Sequence, residues 1–96
     1  MKDRVEKILI ETLREFNDEL DDERLKDPKE KTKLYGANGT LDSLALVSFV
    51  TDVEEKIADE FDSDVILADE KAMSATTSPF RNVATLRDYI VNLLEQ

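Results

Sequence analysis

Three stretches of the chain carry apolar residues at helical spacing. In the first, Val5, Ile8, Leu9, Leu13, Phe16 and Leu20 follow the three-and-four rhythm of one stripe, with Glu, Lys, Arg, Asp and Thr between them. This predicts an amphipathic helix with Asp3 as its N-cap. The second opens at Asp42 or Ser43 and runs to about Phe61. Its inward stripe is Leu46, Phe49, Val50, Val53 and Ile57. Leu44, Ser48, Thr51, Glu55 and Asp59 share the opposite face, flanked by Val47, Glu54 and Ala58. The third runs from about Asn82, its cap, to Glu95, with Val83, Leu86, Ile90, Leu93 and Leu94 in the stripe and Tyr89 beside it.

Between the first two helices the periodicity stops. The stretch DDERLKDPKEKTKLYGANGTL, Asp21 to Leu41, holds one Pro, both glycines and a block of charge. Leu25, Leu34, Tyr35 and Leu41 are its only anchors to a core, and a short helical turn fits around Asp21 to Lys26. So long an irregular segment in a small domain is usually functional. After Phe61, Val65, Ile66 and Leu67 form a short apolar run, and Asp69 to Ser74 predicts a short helix carrying Ala72 and Met73. Ala75 to Pro79 is a turn closed by proline. Met73 and Phe80 are expected to anchor core or loop. The sum is an all-α domain over residues 1–96, three long helices and one short one around a shared core. That is a four-helix bundle with a long loop between its first two helices.

Composition narrows the chemistry. The 96 residues include 13 Lys and Arg against 23 Asp and Glu, a net charge of −10. Nucleic acid and anionic membranes need clustered positive charge, so a partner with a basic surface is expected instead. With no Cys and no His, the chain has no thiol nucleophile, no disulfide and no His-based catalytic triad. Apolar residues at 41% suffice for a modest core. No apolar run is long enough for a signal peptide or a membrane span, so a soluble cytoplasmic protein is expected. The run Asp59, Asp62, Asp64 and Asp69 resembles calcium ligands, but a calcium loop starting at Asp62 would place Leu67 where glycine is needed. Lys26, Lys29, Lys31 and Lys33 form a basic cluster, read as a solvated loop.

The informative residues are Asp42, Ser43 and Leu44, where the long loop meets the second helix. Taken alone, an Asp-Ser pair at a helix start is a cap. Here the serine follows a long loop and should be exposed, and it precedes a Leu on the outward face. Asp52, Glu54, Glu55, Asp59 and Glu60 then make the helix acidic.

The stretch LDSLALVSFVTDVEEKI resembles the acyl carrier proteins, whose Asp-Ser-Leu motif opens the second helix of a four-helix bundle. The likeness extends to the order of helices, the preceding loop, the Glu54–Glu55 pair and the closing RDYIVNLL. It implies that Ser43 carries 4′-phosphopantetheine through a phosphodiester, attached from coenzyme A by a phosphopantetheinyl transferase. Acyl groups then ride as thioesters on the arm's thiol. It further implies that Asp42 helps the transferase bind, through its metal ion. Leu44, Val47 and Thr51 become uncharged partner contacts, and Glu54 and Glu55 acidic ones. The expected partners are that transferase and acyl-loading and acyl-transfer enzymes with basic docking patches. The chain itself is expected to be a monomer, to hold no metal and to catalyse nothing. Better-known fatty-acid carriers have acidic residues early in this helix, where this chain has Ala45 and Ser48. The segment KAMSATTSPFRN is long and resembles carriers of specialised pathways such as surface-polysaccharide or secondary-metabolite assembly. A peptidyl or aminoacyl carrier, and a helical interaction module that never takes the arm, are the other readings.

Overall fold

The computed structural model describes residues 1–35, 39–67 and 79–95, with the side chain of Ser43 outside the described set. Helix α1 spans Lys2–Leu20 and buries Val5, Ile8, Leu9, Thr12 and Leu13. Met1, not Asp3, is at its N-cap, because the Met1 carbonyl already accepts the Val5 N–H at 3.1 Å. Asp3 lies inside the first turn, where its charge faces the positive end of the helix dipole. The apolar stripe runs out toward the C-terminus: Phe16 is half-buried and Leu20 exposed. Asp21 ends the helix in the left-handed region, φ 49° and ψ 46°, and its N–H reaches back to the Asn17 carbonyl.

The segment expected to be an irregular loop is pinned along much of its length. Asp22 caps a single 3-10 turn, Glu23–Leu25, and Leu25, Leu34 and Leu41 are buried. Lys33 pairs antiparallel with Asn82. Around that pair the Leu34 and Tyr35 N–H groups donate to the carbonyls of Arg81 and Phe80. In return the Val83 and Ala84 N–H groups donate to the carbonyls of Thr32 and Glu30. The loop thus satisfies amides that the start of the last helix leaves unpaired. Alternation in so short a paired stretch is too brief to read from the sequence.

Helix α2 spans Ser43–Phe61, and all five residues of its expected inward stripe are buried. A 3-10 turn, Pro79–Arg81, leads through Asn82 into α3, Val83–Leu94. Asn82 and Thr85 form a reciprocal capping box. On α3 the buried set is Val83, Leu86, Ile90 and Val91, while Leu93 and Leu94 are half-buried. The inward face is therefore turned slightly from the expected one, and Val91 takes the place given to the last two leucines. Phe80 is fully buried, as a core anchor should be.

Helix α1 is the centre of the arrangement: α2 and α3 each pack along it, and their backbones do not approach each other among the described residues. Side chains from all three, with Leu25, Leu34, Leu41, Leu67 and Phe80, merge into one core. Arg87 of α3 ties the ends together, donating to Glu6 at 2.7 Å and to Glu30 and Asp88 at 3.0 Å. Those bonds, led by the one to Glu30, hold its guanidinium above even its usual basicity. The described residues hold three α-helices and no strand beyond the single Lys33–Asn82 bridge. The expected short helix, Asp69 to Ser74 with Ala72 and Met73, lies outside them, as does the Ala75–Ser78 part of the expected turn. No helix among them is long and apolar enough to cross a membrane.

Candidate functional site at the start of helix α2

The approach to α2 is built on a close crossing. The chain returns past itself at Gly39, where a side-chain carbon would lie 2.8 Å from the Leu34 carbonyl oxygen and 2.9 Å from Tyr35 backbone atoms. Only glycine fits there. The Leu41 N–H then donates to the Leu34 carbonyl at 2.8 Å, and the Thr40 hydroxyl to the Lys33 carbonyl at 2.9 Å. Leu41 drops into the core, so the next residue emerges at the surface. Asp42 is exposed and extended, and its Oδ1 accepts the Ala45 N–H at 2.8 Å. Ser43 is the first helical residue. The expected exposure of its hydroxyl concerns a side chain outside the described residues.

The outward face of α2 matches its sequence pattern: Leu44, Ser48, Thr51, Glu55 and Asp59 are all exposed. Leu44 leaves 81% of its surface in solvent, and Val47, exposed beside it, adds a second apolar group. The Thr51 hydroxyl donates to the Val47 carbonyl at 2.9 Å, so its donor is already used within the helix. Glu54 and Glu55 separate in role. Glu55 is exposed, whereas Glu54 is half-buried and its Oε2 accepts the Leu67 N–H at 2.6 Å. That bond draws Leu67 of the apolar run into the core, while neighbouring Ile66 stays 76% exposed.

A cleft of about 450 Å³ runs beside this face, between α2 and the C-terminal half of α1. Phe16, Leu20, Leu44 and Ala45 supply its apolar surface; Glu15, Glu19, Ser48 and Asp52 supply its polar surface. The α1 residues form a part of the site that the α2 pattern did not reveal. Its one trace in the sequence is Leu20, which continues the apolar stripe past the end of the core. The lysine-rich loop also borders a shallow groove, lined by Arg24, Lys29, Lys31 and Lys33 with Asp27 among them. Lys29 pairs with Asp27 and Lys26 with Glu23, so acids partly offset that charge. Asp59, Asp62 and Asp64 are exposed, and no group of acidic side chains among the described residues is arranged to hold a metal ion. Asp69 lies outside those residues.

Compared with known proteins, the chain matches no family model, no curated protein and no solved structure.

Proposed function

We propose that the chain is an acyl carrier protein of a specialised pathway, with Ser43 as the attachment point of a 4′-phosphopantetheine arm. The observation that carries this reading is the placement of Asp42-Ser43-Leu44. A surface aspartate caps α2, the serine is its first residue, and the next side chain is a leucine left in solvent. A bare cap has no use for that leucine.

The residues present suit the group. A phosphodiester on Ser43, the first residue of α2, would gain from the positive end of the helix dipole, worth about 0.3–1 kcal/mol at an exposed site. When bound, the arm supplies a thiol for thioester chemistry, a group this cysteine-free chain does not have. Asp42 holds the helix start with one carboxylate oxygen and offers its charge to the divalent ion of the modifying transferase. Leu44, Val47 and Thr51 make uncharged contacts with partner enzymes and Glu55 an acidic one, while Glu54 first serves the packing of Leu67. The reading includes a four-helix bundle, whose short helix, expected at Asp69 to Ser74, lies outside the described residues. The carrier works as a cytoplasmic monomer, is not itself an enzyme, and meets loading and transfer enzymes through their basic patches.

The test is intact-protein mass after incubation with coenzyme A, magnesium and a broad-specificity transferase. The parent should gain one phosphopantetheine and Ser43→Ala none. An unmodified parent, or a modified Ser43→Ala, removes the reading.

A further inference from the structure

The early turns of α2 present Ala45 and Ser48, so this end of the helix has little charge of its own. Across the cleft, α1 contributes Glu15 and Glu19, and one turn further along α2 stands Asp52. Glu15 is already engaged by Lys56 at 2.6 Å. Glu19 and Asp52 have no ion pair among the described residues, and they face the cleft from opposite helices. Between them lies an apolar surface whose form is fixed. The Phe16 ring stands edge-on to buried Phe49, centroids 5.8 Å apart and planes at 89°, so it is held in place. Leu20 and Leu44 remain in water at 41% and 81% exposure on either side. Exposed leucines flanking a preformed apolar cleft with unpaired carboxylates on both walls match a cationic, amphipathic occupant.

We propose that this α1–α2 cleft receives a basic amphipathic helix of a partner enzyme, which sets a leucine-sized side chain against Phe16 and Ala45 and lysine or arginine side chains against Glu19 and Asp52. A space of about 450 Å³ takes a few side chains from one face of a helix rather than a folded domain. The negative charge that α2 lacks near Ser43 is thus supplied from α1, and the docking surface spans two helices. That the partner acts on Ser43 rests on the carrier reading; the cleft's choice of a basic helix does not.

The probe is a synthetic helical peptide with leucines on one face and lysines flanking them, titrated into the unmodified protein and followed by amide chemical shifts. Shifts should concentrate at Phe16, Glu19, Leu20, Leu44, Ala45 and Asp52, equally in the parent and in Ser43→Ala. Glu19→Lys should weaken the half-saturation concentration about tenfold. Asp18→Lys, with the same change in net charge on an exposed neighbour outside the cleft, should move it less than about twofold. Leu44→Ser should weaken it without changing charge. Equal effects of the two lysine variants, or shifts spread over the whole acidic surface, overturn the proposal. Transferase labelling of the same variants reads the Ser43 assignment separately: a labelled parent whose KM is unmoved by Glu19→Lys, with no cleft binding, fails the cleft and leaves the carrier reading intact.

Discussion

The Glu54 carboxylate and the Leu67 backbone are joined by a 2.6 Å hydrogen bond that spans the end of α2 and the chain leaving it. Its neighbour Glu55 points into solvent. Two adjacent acids that look equivalent in sequence therefore separate on measurement. Glu54→Ala should cost about 2 kcal/mol, the worth of a bond to a charged acceptor plus an amide left unpaired. Glu55→Ala should stay within about 0.5 kcal/mol of the parent. Urea unfolding of both variants reads the difference, and equal stabilities would show the bond to be inconsequential.

Asp42 has a capping role and a proposed charge role, which two substitutions separate. Asp42→Ala loses the bond to Ala45 and should cost about 1 kcal/mol. Asparagine caps as well as aspartate, so Asp42→Asn should keep stability to within about 0.5 kcal/mol. If the carboxylate also binds the transferase's metal ion, kcat/KM for arm attachment should nonetheless drop about tenfold or more in Asp42→Asn. An unchanged rate confines Asp42 to capping.

Gly39→Ala should be among the more damaging single changes in the loop. The new methyl meets backbone atoms of Leu34 and Tyr35 at 2.8–2.9 Å, and backbone cannot swing aside as a side-chain tip can. A cost of about 2 kcal/mol corresponds to a fall of roughly 10 °C in Tm for a domain of this size. Calorimetry that finds the variant as stable as the parent would show the crossing to be loose.

The Asp22 carboxylate is held below its ordinary range, first by the Arg24 side chain and then by the Arg24 backbone N–H. Its value is lower folded than unfolded, so its contribution is present above the ordinary aspartate value near ~4 and disappears as pH falls through the folded value. The stability gap between parent and Asp22→Asn should therefore be widest near neutral pH and narrow as acid protonates the folded carboxylate. A gap that stays constant or widens on acidification contradicts this link.

Much of this architecture is visible in spacing alone. The inward and outward faces of α2, the Asp42 and Asn82 caps, and the anchors Leu25, Leu34 and Leu41 follow from local pattern, because burial of one helix face leaves a period that a reader can see. Pairings between distant residues leave no such mark. The Lys33–Asn82 bridge, the Arg87–Glu6 contact and the Glu54–Leu67 bond each depend on where two segments meet in space. Leu20 illustrates the limit at the candidate site. Its position in the stripe predicts burial, yet the core ends before it and it is left beside Leu44 at the cleft. The start of α1 at Lys2 rather than after Asp3 reflects backbone bonding that needs no capping side chain.

Among the described residues α2 and α3 each run along α1 while their backbones stay apart, so α1 is the helix that both others need. On the ribosome α1 can begin to pair with α2, but Glu6 waits for Arg87 until α3 has left the exit tunnel. A nascent chain stalled before residue 83 therefore has no α3, and its Glu6 carboxylate has no Arg87 guanidinium to meet.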